Sequence, residues 1–528
     1  MNRIVSRVTL GSAFVSSLVF ACLISAQDAE PQCGTSDLGG LIARIANAHT
    51  LEERTELAGT FVREGVLKEY SLPGMSVAVA IDGKIVWSEA FGFADLEAKV
   101  RATPNTKFRA GSVSKVFTAA GVALLHEQGK LDLDAPVQKY VPEFPTKGNV
   151  ITTRQLTGHL AGIRHYNEGE VRPEALDRLG EEQGDKRFKD VISALRVFKD
   201  DPLVAIPGER WSYSSYAWTL VSAVVERAAG QSFLEFMRGK VFHPLGMVNT
   251  LADHTKAKIS NRARLYVGYG EELTAVSRTN LSSVWAGGGF LSTAEDMVRF
   301  GSALLPDSGF LSPDTKKLMF THQQTSAGEE TPTGIGWFID RLPDGSPVYH
   351  HGGTVTGGHS VLLIRPRDKI VVAMIANHSS GFKALEASLL ANILLGSTDI
   401  PILVGAAKDK KRNSASKSNL NEAIDVWESG LKDGNLTAAM SVVSEEFSSK
   451  RWKNKAALRE ELRQLFTNSQ GLAIEPGRSL KRRGHDIGSF SYLDGALIPE
   501  LMKDKPVRLT FIKEKAGWKL VDLRPESR

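Results

Sequence analysis

Ser112-Val-Ser-Lys115 opens an apolar-periodic run, Val116-Phe-Thr-Ala-Ala-Gly-Val-Ala-Leu-Leu. A serine and a lysine three positions apart on a helix share one face, a turn from each other. An alcohol is a poor nucleophile until a neighbouring base takes its proton. Lysine can be that base only where burial or nearby cations push its pKa down. A helix start adds free N–H groups and a positive field beside the hydroxyl. The pair is therefore a candidate nucleophile and base. Spacing alone is a weak signal, because Ser414-Ala-Ser-Lys417 repeats it inside a polar, aperiodic run. Ser112 differs in its apolar context and in having partners elsewhere in the chain.

Three other stretches bear on it. Tyr213-Ser-Ser215 follows a Pro-Gly turn and precedes a helix-like run. A tyrosine there can relay a proton if cations stabilise its phenolate. His350-His351-Gly352-Gly353 leads into Thr354-Val-Thr-Gly357-Gly358 and an apolar run from Ser360. Small residues on a strand let a substrate approach the backbone. A histidine beside them can donate a hydrogen bond or positive charge to a carboxylate, or relay a proton. Trp285-Ala-Gly-Gly-Gly-Phe-Leu-Ser292 lacks the spacing and the lysine of a phosphate-binding loop. It reads as a structural loop near the site.

The elements that must position these residues are legible in outline. Residues 40–68 read as helical. Met75 to Ser88 reads as a hairpin around Asp82-Gly83, a strong two-residue turn signal. A helix after Ser112 stops at Gly129. The region 150–240 reads as mainly helical, with a turn at Pro207-Gly208 and a helix over 216–229 ending at Gly230. Ser292-Thr-Ala-Glu295 reads as a capping box opening a helix toward Leu305. Strand-like runs return at Ile335–Ile339, Ser360–Ile364 and Ile370–Ala376, and a helix over 382–395 closes the unit. Strands early and late with helices between predict an α+β layered domain over 39–400, its sheet joined from both ends of the sequence. Residues 401–418 are polar and aperiodic and read as a linker. In 419–528, helix-like runs (420–431, 436–443, 455–466) precede strand-like ones (506–513, 518–523). That order resembles the small, cone-shaped α+β fold of nuclear transport factor 2.

Residues 72–397 resemble the serine β-lactamase-related family, the penicillin-recognising hydrolases of peptidase S12 type that include class C β-lactamases and D-alanyl-D-alanine carboxypeptidases. The resemblance is carried by Leu72-Pro-Gly-Met-Ser-Val-Ala-Val, Phe108-Arg-Ala-Gly-Ser-Val-Ser-Lys115, Gly129-Lys-Leu-Asp-Leu-Asp, His159-Leu-Ala-Gly-Ile-Arg-His-Tyr166, Tyr213-Ser-Ser and the His-Gly-Gly stretch. It implies a β-lactamase/transpeptidase-like domain, an antiparallel sheet with a helical subdomain. It implies Ser112 as acylated nucleophile, Lys115 as base and Tyr213 as proton relay. His351, chosen over His350 because it aligns without a gap from Ser360, takes the place of the lysine of a Lys-Thr-Gly element. Gly352, Gly353 and Thr354 would border the substrate, with the N–H groups of Ser112 and Thr354 as oxyanion donors. Ser215 stands where the family has the asparagine of Tyr-x-Asn. A serine hydroxyl is shorter than an amide and offers fewer groups, so contact with Lys115 and with a substrate amide should weaken. His351 likewise softens the positive charge that would hold a substrate carboxylate. Peptide or ester carbonyls are thus favoured over β-lactams, and no metal or organic cofactor is required. The rival from another class is a scaffold or binding protein that has kept the fold.

Composition sets the outer bounds. The 528 residues are 42% hydrophobic and 24% charged with a net charge of +5, which argues against a nucleic-acid binder; the small-molecule or short-peptide substrate is what the family resemblance implies. Arg3, Arg7 and the apolar run from Val8 to Ala26 read as a signal peptide over 1–26, and hence an exported, periplasmic or secreted chain without a remaining membrane span. A lipoprotein anchor at Cys22 fits less well because Phe20 suits that site poorly. Cys22 would leave with the signal, and Cys33 alone makes no internal bridge.

Overall fold

The computed structural model describes residues 38–166, 188, 190–268, 273–379 and 381–399, together with the strands at 404–405, 478–483, 487–492, 507–514 and 517–525. The chain divides into two units, Met1–Asp409 and Lys410–Arg528. The expected signal peptide, the helices of the second unit and most of the linker lie outside the described residues.

The main sheet follows from runs such as Met-Ser-Val-Ala-Val-Ala-Ile and Ile-Val-Val-Ala-Met-Ile-Ala, apolar at nearly every position and therefore suited to burial on both faces. Its strands are β1 (Gly74–Ile81), β2 (Lys84–Asp95) and β3 (Val100–Arg101). After the short β4 (Phe108–Arg109), β5 (Leu251–Ala252), β6 (Leu265–Val267), β7 (Thr274–Val276) and β8 (Phe290–Ser292), the sheet resumes with β9 (Phe338–Arg341), β10 (Pro347–Val355), β11 (Gly358–Arg365), β12 (Ile370–Ala376) and β13 (Val404–Gly405). The order is β13-β9-β10-β11-β12-β1-β2-β3. The central antiparallel pair, β1 with β12 from Met75↔Ala376 to Ile81↔Ile370, joins the two ends of the unit as expected. The β1–β2 turn is tight: Asp82 and Gly83 both take positive φ, 50° and 76°.

Period-two alternation sorts these strands into two cores. Val77, Val79, Val372 and Met374 face one side, covered by α1 (Leu38–Asn47), α2 (Leu51–Thr60) and a closing helix over 384–395. Ala78, Ala80, Val371, Ala373 and Ile375 face the other. That second side carries α3 (Ser114–Glu127), α4 (Ser215–Ala229), α5 (Trp285–Gly288) and α6 (Ala294–Ser302). The closing helix is α7 (Ala384–Leu395), ended by Gly396 at φ 68°.

Several boundaries differ from expectation for local reasons. The helix over 40–68 is interrupted at Ala48–Thr50, where Thr50 and Glu53 form a capping box that starts α2 afresh. Thr293 rather than Ser292 caps α6, accepting from the Asp296 N–H, because Ser292 is held in β8 opposite Phe108. The strand expected at Ile335 begins only at Phe338: Gly336 turns the chain at φ 79° against Ala119 and Trp218. Within 150–240, short helices at Thr153–Thr157, Val191–Ala194 and Phe233–Phe236 stand in the region expected to be mainly helical, while α4 begins one residue before the expected 216–229 helix and ends with it. The expected linker contains β13, which pairs with β9 at Val404↔Arg341. In the second unit the expected late strands form, and two more precede them. β14 (Arg478–Arg483), β15 (Ile487–Tyr492), β16 (Val507–Glu514) and β17 (Gly517–Pro525) make an antiparallel meander.

One contact brings β10 against the turn before α3. A Cβ on Gly353 would lie 2.1 Å from Ala110 O and 2.9 Å from Ser112 N; one on Gly111, at φ 51°, would lie 2.8 Å from Thr354 N. Only glycines allow the two backbones to meet. Gly353→Ala should therefore push β10 off the turn, costing about 1–3 kcal/mol of stability in urea unfolding. Any acyl transfer at Ser112 should fall on the order of 10²-fold, the scale of one lost oxyanion donor.

Candidate active site

Three segments converge at Ser112. Ala110 N–H donates to Phe290 O at 2.9 Å, and Gly111 at positive φ turns the chain into a 3₁₀ turn, Gly111–Val113, that runs into α3. Behind it, Arg109 is wholly buried and acts as a clamp. Its Nε donates to Asp253 at 2.6 Å, Nη1 to Thr279 Oγ1 at 2.8 Å and Thr356 O at 2.9 Å, and Nη2 to Thr279 O at 2.9 Å. One guanidinium thus ties the nucleophile turn to the chain beyond Thr354 and to the wall that carries Leu281.

Lys115 projects from the first turn of α3 into the core and is fully buried. Its Nζ lies 3.0 Å from Ser112 Oγ, 2.9 Å from Ser215 Oγ and 2.7 Å from Gly287 O. These partners are two hydroxyls and a carbonyl, none of them charged. Burial pushes the Lys115 ammonium well below the ordinary lysine range. Tyr213 Oη donates to Ser112 Oγ at 3.0 Å. Burial raises its phenol to about 12, against the opposing hydrogen bonds with Ser112 and Ser215. Burial thus favours the neutral phenol over the phenolate that a cation would have to stabilise.

Ser215 is the first residue of α4, and its Oγ keeps contact with Lys115 despite its short reach. This corrects the expectation of a weakened contact. The packing explains it: a Cβ on Gly287 would sit 3.2 Å from Ser215 O, so α5 presses close only because that position is bare. The glycine stretch read as a nearby structural loop is thus a short helix whose Gly287 carbonyl holds the lysine.

The β10 residues separate. Gly353 and Thr354 meet the nucleophile turn, and Thr354 borders the cavity. At Gly352 an added Cβ would meet only Ser360 O, at 3.9 Å, and its carbonyl accepts from His351 Nδ1 at 2.6 Å. Thr354, not Gly352, is among the residues that border the described cavity. His351 is 2% exposed and lies behind Tyr213, with ring centroids 6.5 Å apart. Burial, above all, lowers its imidazole to about 3. The neutral form is thereby favoured, in the direction of the softened positive charge expected at this position. His350 instead pairs with Asp340 at 2.9 Å.

Two histidines of the His159–Tyr166 stretch carry positions that spacing did not reveal. His159, at φ 60°, stacks on Tyr213 with centroids 4.4 Å apart, and its Nδ1 accepts the Ser214 N–H at 3.1 Å. His165 Nδ1 accepts the Ser215 N–H at 3.1 Å while its ring meets Tyr213 edge-on. Both fix the segment that delivers the phenol. The only sequence signal was their place beside Gly162 in a shared stretch. Ser112 opens into a cavity of about 360 Å³ bordered by His165, Tyr166, Tyr213, Leu281, Val284 and Thr354, among others.

This geometry, a serine approached by a buried lysine and a tyrosine beside an antiparallel sheet, agrees with the comparisons to known proteins. The beta-lactamase family profile matches residues 50–395, and the chain belongs to that family. It is 34% identical over 430 residues to the human mitochondrial serine beta-lactamase-like protein LACTB, covering 65% of this chain and 78% of that one. It is 27% identical over 367 residues to penicillin-binding protein 4* of Bacillus subtilis, covering 64% and 76%. The octameric penicillin-binding protein homologue from Pyrococcus abyssi shares the fold with a TM-score of 0.54 at 21% identity, over 92% of this chain and 95% of that one. No helix among the described residues is long and apolar enough to cross a membrane.

A lysine whose pKa burial lowers has a consequence for stability. The unfolded chain binds a proton that the folded one does not, in the window between the depressed folded pKa and the ordinary lysine value. Within it, folding stability rises with pH. Lys115→Met should remove this slope and make the chain more stable than the wild type at about pH 7. Urea midpoints of both proteins across a pH series measure the difference.

Proposed function

We propose that this chain is an exported serine hydrolase that works through an acyl-enzyme. The observation that carries the reading is the placement of Lys115 Nζ and Tyr213 Oη, each 3.0 Å from Ser112 Oγ at the mouth of a cavity. A neutral amine has two N–H groups and one lone pair. Its N–H groups satisfy Gly287 O and Ser215 Oγ, leaving the lone pair for the Ser112 O–H. Tyr213 donates to the same oxygen. Lys115 is then the base that takes the Ser112 proton as Oγ attacks a carbonyl carbon. Tyr213, still carrying its proton at neutral pH, protonates the leaving group and is reprotonated from Lys115 through the Ser215 hydroxyl, which bonds both. Water enters by the reverse path to release the acyl group. The N–H groups of Ser112 and Thr354, brought together by Gly111 and Gly353, are the oxyanion donors. Substrates are short peptides, amides or esters, with β-lactams less favoured. Export rests on the basic and apolar first 26 residues. The antiparallel meander of the second unit, after helix-like sequence, supports a nuclear-transport-factor-2-like domain there.

A fluorophosphonate probe and a fluorescent penicillin test the reading on the purified chain. Labelling by either should vanish in Ser112→Ala. Lys115→Ala should slow it by at least ~10³-fold, and Tyr213→Phe by ~10²–10⁴-fold. A wild-type chain that takes no label would favour the scaffold protein instead. The labelling rate should rise with pH through the depressed Lys115 pKa, reach its plateau well below the ordinary lysine range, and hold until Tyr213 ionises.

A further inference from the structure

Thr354, the second of the two oxyanion donors, stands near the free end of β10. Pairing with β9 stops at His350↔Phe338, and pairing with β11 runs on to Val355↔Gly358, where the hairpin turns. Beyond His350, β11 is thus the only described strand that β10 pairs with. Directly across from Thr354 on β11 is His359. Paired residues of an antiparallel ladder point to one face, and these two bond. Thr354 Oγ1 lies 3.0 Å from His359 Nδ1. The other ring nitrogen, Nε2, lies 2.6 Å from Phe382 O, and the ring meets Phe382 edge-on with centroids 5.0 Å apart.

Chemistry sets the direction of both bonds. A carbonyl oxygen only accepts, so Nε2 carries the hydrogen. Burial lowers the His359 imidazole below the ordinary histidine value, which leaves the ring one N–H near pH 7. Nδ1 is then an acceptor, and the Thr354 hydroxyl donates to it. Thr354 is exposed and borders the cavity. An exposed side chain is ordinarily free to change rotamer. Here one ring ties the hydroxyl to the chain just ahead of α7.

We propose that His359 is a positioning residue for acyl transfer: by accepting the Thr354 hydroxyl, it keeps the Thr354 N–H aimed where a substrate's carbonyl oxygen gains charge. It acts through Thr354 and not on the substrate. An oxyanion donor works on charge that develops in the transition state, so losing its aim lowers the rate and leaves ground-state binding unchanged. Small shifts suffice, since a misplacement of about 1 Å can cost a large part of a rate. This inference rests on the serine-hydrolase reading and adds a residue to its machinery.

The experiment labels Ser112 of the full chain with a fluorophosphonate, whose phosphoryl oxygen takes the place of the carbonyl oxygen. The maximal labelling rate and the half-saturating probe concentration are measured separately. His359→Phe keeps an aromatic ring against Phe382 and removes both nitrogens. It should lower the maximal rate by about tenfold or more and leave the half-saturating concentration within about twofold. Thr354→Val removes the hydroxyl at nearly constant volume and should slow labelling by a similar factor. The double variant should be no slower than the slower single one, because both substitutions delete the same bond. His359→Asn, whose Oδ1 can stand in for Nδ1 as acceptor, should recover at least about half of the wild-type rate. Should His359→Phe fail to fold, Thr354→Val at its exposed position still decides, and a wild-type rate there overturns the inference. With the wild type labelled, a rate that survives His359→Phe, is not recovered in His359→Asn, or falls by the product of the two losses in the double variant overturns this inference alone. Absence of wild-type labelling overturns the hydrolase reading with it.

Discussion

The site depends on one amine held in the core without a counter-charge. A lysine surrounded by carboxylates would stay protonated and would only stabilise anions. Lys115 instead meets Ser112 Oγ, Ser215 Oγ and Gly287 O, the hydrogen-bonding partners a neutral amine can satisfy. Desolvation is the whole cause of its lowered pKa. The elements around it follow from that need: α3 supplies the lysine, α4 begins at Ser215, and α5 is bare at Gly287 so its carbonyl can approach.

A second constraint joins the sheet to the nucleophile. The β10 backbone and the turn at Gly111 approach so closely that Cβ atoms at Gly353 or Gly111 would overlap the opposing chain. Arg109 keeps that junction rigid from below by bonding Asp253, Thr279 and Thr356 at once. The oxyanion donors and the general base therefore stand on different elements locked by glycine contacts and one buried guanidinium. Such pre-organisation lets the site act on developing charge without rearranging.

Much of this was readable before any coordinates. The doubly apolar runs at β1 and β12, the Asp82-Gly83 turn and the helix behind Ser112 announced themselves through period and turn chemistry. Ser112, Lys115 and Tyr213 stood out by residue type and by the stretches shared with the family. What stayed hidden was three-dimensional. Gly287 offers a carbonyl, not a side chain, so no residue-type rule marks it. Whether Ser215 reaches Lys115 depends on how near α5 presses. Gly352 and Gly353 differ only in which face of β10 they occupy. The protonation of Tyr213 and His351 is set by burial, which period alone does not measure. In the second unit, β14 went unread: its Lys481-Arg-Arg483 sets three charged residues in succession, which breaks the period-two alternation that marks a strand.

The most direct test is a titration of the Lys115 amine itself. The chain, carrying ¹³C-labelled lysine, is followed by its Cε chemical shift, with the Lys115→Met spectrum assigning the signal. The account predicts that the Lys115 resonance has the shift of a neutral amine at about pH 7, while the surface lysines titrate near ~10.4. A Lys115 signal that stays ammonium-like up to that same value would contradict it.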